Sequence, residues 1–167
     1  MAQAFAAPWL DLLGSVAGLF GQAEVTAGIA LGLAVARFRR DPRDALVPLL
    51  IVVTVVVEAL LKTYVPQASL PAERVRTVEL LPALHVPFAY SFPSGHVART
   101  AFLLRIARGI PTWAVVAGVA LMVATRVYLG EHWLSDTIGG LVLGLGVANV
   151  ARRTLRPRRK VARKVAE

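Results

Sequence analysis

An all-α bundle embedded in a bilayer is the fold class the sequence predicts, and three observations carry that prediction. Hydrophobic residues make up 56% of the 167-residue chain, above the usage of ordinary globular domains. They are gathered into long runs; at about 1.5 Å per residue, some twenty residues cross the roughly 30 Å of hydrocarbon in a membrane. The basic residues, which give a net charge of +9, stand mostly between and after those runs. Charge in such places meets anionic lipid and sets topology, so the basic balance does not point to nucleic acid. The expected fold is an integral membrane bundle of five or six transmembrane helices. One transmembrane domain is expected over 1–151, followed by a basic cytoplasmic tail over 152–167.

In chain order, Met1 to Leu13 mixes Pro8, Trp9 and Asp11 with apolar residues and has no basic residue ahead of the apolar stretch, as a cleavable signal requires. It reads as a leading interfacial helix. The first span is expected from Leu12 to Ala36, interrupted by Gln22 and Glu24, which at that depth face either a polar cavity or a neighbouring helix. A basic loop, Arg37 to Arg43, leads to a second span from Ala45 to about Val65, with Glu58 and Lys62 four apart in the favourable order for an ion pair. Residues 66–92 form a connection long enough to be functional, with one short helix expected from Ala72 to Leu81 and a surface histidine at His85. The third span, Ser94 to Arg108, is short and carries Arg99 and Arg105. Ile110 to Leu129 is the fourth and Leu134 to Val150 the fifth, where Gly139, Gly140, Gly144 and Gly146 allow close helix packing. There is no cysteine, so disulfides and thiolate metal sites are excluded.

The charges predict orientation. The 37–43 loop holds four basic residues, the 105–108 turn two and the tail eight, fourteen of the nineteen in the chain. All three lie on one side of a five-span arrangement, which makes that side cytoplasmic. Lys62, the 66–92 connection, Ser94 to His96, Arg126, His132 and Asp136 then share the extracytoplasmic side.

Two clusters on that side carry chemistry. In Arg126-Val-Tyr-Leu-Gly-Glu-His132-Trp-Leu-Ser-Asp136, a helix restarting around His132 would put Asp136 on the same face. Its carboxylate then holds one ring nitrogen and leaves the other as a free lone pair, which a nucleophilic or basic histidine requires. By itself the same spacing equally serves a helix-stabilising contact. Arg126 adds a permanent cation suited to forked contact with phosphate oxygens. In Ser91-Phe-Pro-Ser94-Gly95-His96, Ser94 is placed to cap the helix that follows, and such a terminus is an anion site.

The pattern Arg-x5-His-x3-Asp, with an upstream Pro-Ser-Gly-His, resembles the type 2 phosphatidic acid phosphatase superfamily, which includes membrane lipid phosphatases and vanadium haloperoxidases. The family's first motif, Lys-x6-Arg-Pro, is half present: Lys62 matches, Ser69 stands in the arginine's place, and Pro71 comes one position late. The resemblance implies hydrolysis of a lipid phosphate or diphosphate without metal or cofactor. His132 would be the nucleophile, Asp136 its orienter and His96 the acid and base. Lys62, Ser94, Gly95 and Arg126 would hold the phosphate oxygens. Arg99 and Arg74 are the two candidates to replace the missing arginine; the alternative for Arg99 is an ion pair with Glu24 or Glu58, and for Arg74 a solvated surface charge. The implied partners are the lipid substrate and the bilayer. The candidate lipids are a polyprenyl (di)phosphate, phosphatidylglycerol phosphate and phosphatidic acid, in a multi-pass cell-membrane protein. A degenerate, non-catalytic lipid-phosphate-binding protein is the alternative, and the incomplete first motif is its support.

Overall fold

The structure, a computed structural model, describes residues 6–81 and 87–155. His85, the start of the leading segment and the tail beyond residue 155 lie outside the described residues. Everything regular in the described residues is helical. The α-helices are α1 (Pro8–Leu19), α2 (Ala23–Phe38), α3 (Pro42–Leu49), α4 (Ile51–Tyr64), α5 (Gly95–Ile106), α6 (Thr112–Tyr128) and α7 (Leu134–Thr154), with one 3-10 turn at Ala72–Arg74.

The first expected span is two helices, α1 and α2, bent by 40° at a joint over residues 20–22. Gln22, where the sequence reading placed an interruption, precedes the first residue of α2. α3 and α4 run on as a rod from Pro42 to Tyr64, strongly apolar over most of its 23 residues. Pro42 opens α3 at a position where its missing amide costs nothing, and the Asp41 carboxylate accepts the Arg43 amide at 2.9 Å. Among the described residues, this rod and α7 are long and apolar enough to cross a membrane, and the bent α1–α2 pair qualifies if counted as one span. The chain is an all-helical membrane protein.

α5 is the axis of the bundle. Nine of its twelve residues are buried, so a helix that carries one histidine and two arginines is shielded from lipid over most of its length. α7 lies against it through glycines: a Cβ on Gly140 would stand 2.3 Å from the Ser94 carbonyl oxygen, and one on Gly144 2.2 Å from that of Ala98. Gly139 meets the Phe92 ring, whereas Gly146 faces open space. Phe102, Ile106, Val47, Ala30, Ala148 and Ala151 fill the core, while Leu31, Val52, Val116 and Val142 are exposed on the outer faces. An apolar exterior around buried arginines is the arrangement a hydrocarbon solvent favours.

Two ends result. At one, Arg37 donates to the Ile106 carbonyl at 2.9 Å, Arg108 pairs with Asp44 at 2.8 Å, and Arg152 donates to the Arg105 carbonyl at 3.3 Å. The basic loop, the 105–108 turn and the end of α7 therefore meet. The opposite end carries His96 and His132. There the helix expected over Ala72–Leu81 is only the three-residue turn; from Val75 the chain is extended instead. The cause is docking that an amide inside a helix would forgo: Arg76 N donates to the Leu129 carbonyl at 2.9 Å and Val78 N to Ser15 Oγ at 2.9 Å. The Arg76 guanidinium reinforces this over the Tyr128 ring, at 4.5 Å, and on its carbonyl at 2.7 Å.

Candidate functional site

α7 starts at Leu134, so His132 lies just ahead of the helix rather than on it, a correction to the shared-face geometry read from the sequence. The cause is local. Asp136 is the third residue of α7, and its Oδ2 accepts the Trp133 amide at 3.0 Å, closing the first turn. The same oxygen lies 3.2 Å from His132 Nδ1. Oδ1 accepts Gln67 Nε2 at 2.5 Å, and the same amide nitrogen reaches Ser135 Oγ at 2.7 Å. Asp136 is fully buried and thus has its carboxylate fixed from three directions. With Nδ1 held, Nε2 is the nitrogen of His132 left for chemistry.

Arg126, in the last turn of α6, is 1% exposed. Its Nη1 meets Glu131 Oε2 at 2.6 Å and its Nη2 donates to the Gly14 carbonyl at 3.1 Å, while Nε has no hydrogen-bond partner among the described residues. Its own carbonyl accepts the amides of Glu131, at 3.1 Å, and His132, at 3.4 Å. That turn, with Gly130 at φ +74°, folds His132 back beside the arginine.

Ser94 occupies the N-cap position of α5, yet its hydroxyl makes no cap bond; it is wholly buried with no partner among the described residues. Its amide instead donates to the Asp136 carbonyl at 2.9 Å, tying the start of α5 to the first turn of α7. His96 packs beside Gly21 in the α1–α2 joint, where a Cβ would stand 2.9 Å from its ring. Arg126, Arg99, His132 and Lys62 all act on it electrostatically.

Glu58 divides its carboxylate: Oε1 meets Lys62 Nζ at 2.9 Å and Oε2 meets Arg99 Nη1 at 2.5 Å. Arg99 Nε donates to the Gly21 carbonyl at 3.0 Å. Of the two partners the sequence offered for Arg99, Glu58 is the one it meets. The Glu58 carboxylate also lies against Gly95, where a Cβ would stand 2.0 Å from Oε1. Lys62 Nζ lies 5.2 Å from the centre of the Phe88 ring. Arg74 sits in the 3-10 turn, on the exposed surface of the connection. Glu24 is exposed in the first turn of α2.

A cavity of about 400 Å³ opens beside this cluster, with His96, Arg126 and Glu131 on one side and Thr77, Val78 and Glu79 of the connection on the other. The sequence reading therefore named most of the groups gathered here. It missed Glu131, Gln67 and Arg76. Glu131 had a signal, a carboxylate between Arg126 and His132, whereas the contacts of Gln67 with Asp136 and of Arg76 with α6 join residues more than fifty positions apart. No local pattern marks such pairs.

Comparison with known proteins places this arrangement. Residues 45–160 match the PAP2 superfamily, a stretch that holds Lys62, His96, Arg126, His132 and Asp136. A lipid A 4'-phosphatase of Porphyromonas gingivalis is 37% identical over 65 residues, covering 36% of this chain. The match spans 28% of that relative's length. The crystal structure of the first transmembrane PAP2 type phosphatidylglycerolphosphate phosphatase from Bacillus subtilis shares the fold at a TM-score of 0.72 and 21% identity, over 91% of this chain and 79% of that one. That of Aquifex aeolicus LpxE does so at 0.66 and 20%, over 91% and 90%. With the matched stretch covering most of the chain and both histidine motifs inside it, the chain belongs to the PAP2 superfamily.

Proposed function

We propose that the chain is a lipid phosphate phosphatase working through a phosphohistidine, with its site at the extracytoplasmic membrane face. The observation that carries the reading is the His132–Asp136 contact of 3.2 Å, set beside Arg126 and a cavity that His96 lines. Asp136 holds Nδ1, so Nε2 of His132 attacks phosphorus; the N–P bond forms as the P–O bond to the alcohol breaks. Protonated His96 gives its proton to the departing oxygen. In the second step His96 takes a proton from water, the water oxygen bonds to phosphorus and the N–P bond breaks. Phosphate leaves, and both histidines are restored. Arg126, Lys62, the Ser94 hydroxyl and the Gly95 amide place positive charge and donors at the equatorial oxygens, where charge concentrates in the transition state. The buried, unpartnered Ser94 hydroxyl and Arg126 Nε support that assignment.

The substrate class is a lipid with a terminal phosphate, a polyprenyl (di)phosphate or a phosphatidylglycerol phosphate or phosphatidic acid. The lipid A 4'-phosphatase and phosphatidylglycerolphosphate phosphatase among the relatives support a membrane lipid. Five crossings follow if α1–α2, α3–α4, α5, α6 and α7 each count as one. The convergence of basic segments at the end opposite the histidines then supports a cytoplasmic assignment for that end. Residues 1–151 form the domain and 152–167 the cytoplasmic tail. The non-catalytic reading rests on Ser69 in the place of the first-motif arginine.

The deciding experiment is phosphate release from these lipids by the full chain in detergent, with EDTA present. Release is expected from the wild-type chain and not from His132→Ala, and the wild-type chain should yield an acid-labile phosphoprotein on quenching. Equal turnover by His132→Ala, or loss of wild-type turnover on adding EDTA, overturns the mechanism. A folded chain inert on every lipid points to the non-catalytic reading.

A further inference from the structure

The end of the bundle opposite His96 and His132 carries a groove that the proposed phosphatase chemistry does not use. α6 and α7 both pack on α5, and between them a space of about 820 Å³ opens on the outer face, within the roughly 300–1,000 Å³ of small-molecule sites. Its walls are Leu104 of α5, Val115, Val119 and Val123 of α6, and Leu141 and Leu145 of α7. Among the described residues, the only charged side chains that line it are Arg105 and Arg152.

These arginines make the mouth of the groove an anion site. Arg105 Nε donates to Asn149 Oδ1 at 3.1 Å, and Arg152 Nη1 donates to the Arg105 carbonyl at 3.3 Å, which holds the two residues together. Both Nη atoms of Arg105 and Nη2 of Arg152 have no partner among the described residues. No carboxylate lines the groove to offset them; Asp44, at the same end, lies outside it and meets Arg108 at 2.8 Å. α6 begins at this mouth with no side-chain cap, and the first amides of a helix favour negative charge.

The length of the groove matches one leaflet. From Thr112 to Ala124, both of which line it, α6 rises about 18 Å at about 1.5 Å per residue. Half of the roughly 30 Å hydrocarbon core is about 15 Å, the depth an acyl chain reaches below its headgroup. Trp113, 73% exposed in the first turn of α6, stands where aromatic side chains meet headgroups.

The geometry points to a binding site for an anionic glycerophospholipid of the leaflet opposite the histidines. Its phosphate lies on Arg105, Arg152 and the start of α6, and one acyl chain fills the space between α6 and α7. No histidine lines this groove, so its lipid is held and not hydrolysed. A chain seated there braces two helices whose far ends carry Arg126 and Asp136.

The test is lipid binding by the full chain, purified in detergent, titrated with dioleoylphosphatidylglycerol or dioleoylphosphatidylcholine and read by native mass spectrometry. One phosphatidylglycerol per chain is expected to bind about tenfold or more tightly than phosphatidylcholine, and Arg105→Gln/Arg152→Gln should bring the two lipids within about twofold of each other. Because Arg105 and Arg152 also tie α5 to α7, a second variant reads the site without touching them. Ala120→Leu/Ala124→Leu crowds the groove from exposed positions and should weaken phosphatidylglycerol binding about tenfold. Ala117→Leu, exposed on α6 but outside the groove, should leave it unchanged. Equal binding of the two lipids by the wild-type chain overturns the inference. So does a preference for phosphatidylglycerol that survives both double variants, since the lipid then sits elsewhere, the histidine end included. A lipid-free dimer that Ala120→Leu/Ala124→Leu converts to a monomer would give the groove to a second copy of the chain and overturn it as well.

Discussion

Glu58 Oε2 lies 2.5 Å from Arg99 Nη1, both side chains buried, while its other oxygen holds Lys62 at 2.9 Å. One carboxylate therefore serves a cation from its own helix and one from the central helix. The arginine nearest to replacing the absent first-motif arginine is already engaged, on Glu58 and on the Gly21 carbonyl.

Removing one side of this pair is expected to cost more than removing both. Arg99→Gln or Glu58→Gln leaves a buried charge short of its partner, a loss of about 3–5 kcal/mol where no water can compensate. The double variant Glu58→Gln/Arg99→Gln should recover part of that loss. Thermal unfolding in detergent with added lipid reads it directly. A single Arg99→Gln chain as stable as wild type, with kcat/KM reduced about 30- to 1,000-fold, would instead make Arg99 a phosphate ligand.

Asp136→Asn keeps the shape of the turn at the start of α7 but removes the charge beside His132. Turnover should fall by about 10³- to 10⁴-fold, as when an orienting carboxylate is neutralised in other histidine-based sites. Gln67→Ala removes one of the carboxylate's three partners and should have a smaller effect in the same direction. Steady-state rates on one lipid measure both, and equal effects would mean that Gln67 and Asp136 act as a single unit.

Glycines on α7 are expected to differ sharply in tolerance. Gly140→Ala and Gly144→Ala force a methyl against the Ser94 and Ala98 carbonyls, costing about 1–3 kcal/mol and displacing the start of α5. Gly146→Ala has no atom within 4 Å to meet and should be neutral or stabilising. Melting temperatures of the three variants provide the comparison; similar values would contradict the packing.

Orientation is open to a cysteine experiment with no background, because the natural chain has no cysteine. Ser69→Cys lies in the exposed part of the connection and should react with an impermeant thiol reagent in intact cells. Arg43→Cys, exposed at the opposite end, should react only after lysis. The reverse labelling would place the histidines in the cytoplasm.

Much of this organisation was legible because its signals are local. Apolar runs placed the helices, and short spacings placed Ser94, His96, Arg126, His132 and Asp136. What escaped had rivals of similar local strength or depended on distance. The fifth span begins at Leu134, as its apolar run indicated; what was hidden is that His132 stays outside the helix, since Trp133 is not a residue type that announces a helix start and the carboxylate at the third position does the capping. Residues 72–81 carry charges and branched side chains without a clear period, and docking against Leu129 and Ser15 decided for an extended chain. The bend between α1 and α2 had only the polar Gln22 and Glu24 to mark it.

That bend reaches further than its length implies. The family match begins at residue 45, yet Gly18 lies against the Arg126 guanidinium and Gly21 against His96. Gly14 and Gly21 also supply the carbonyls that hold Arg126 and Arg99. Residues 8–38 thus act as a mould around groups whose reactivity they do not share. A chimera that takes this segment from another member of the superfamily would keep every motif and recast the space around them, so new substrate ranges can be sought by exchanging a piece that contains no histidine.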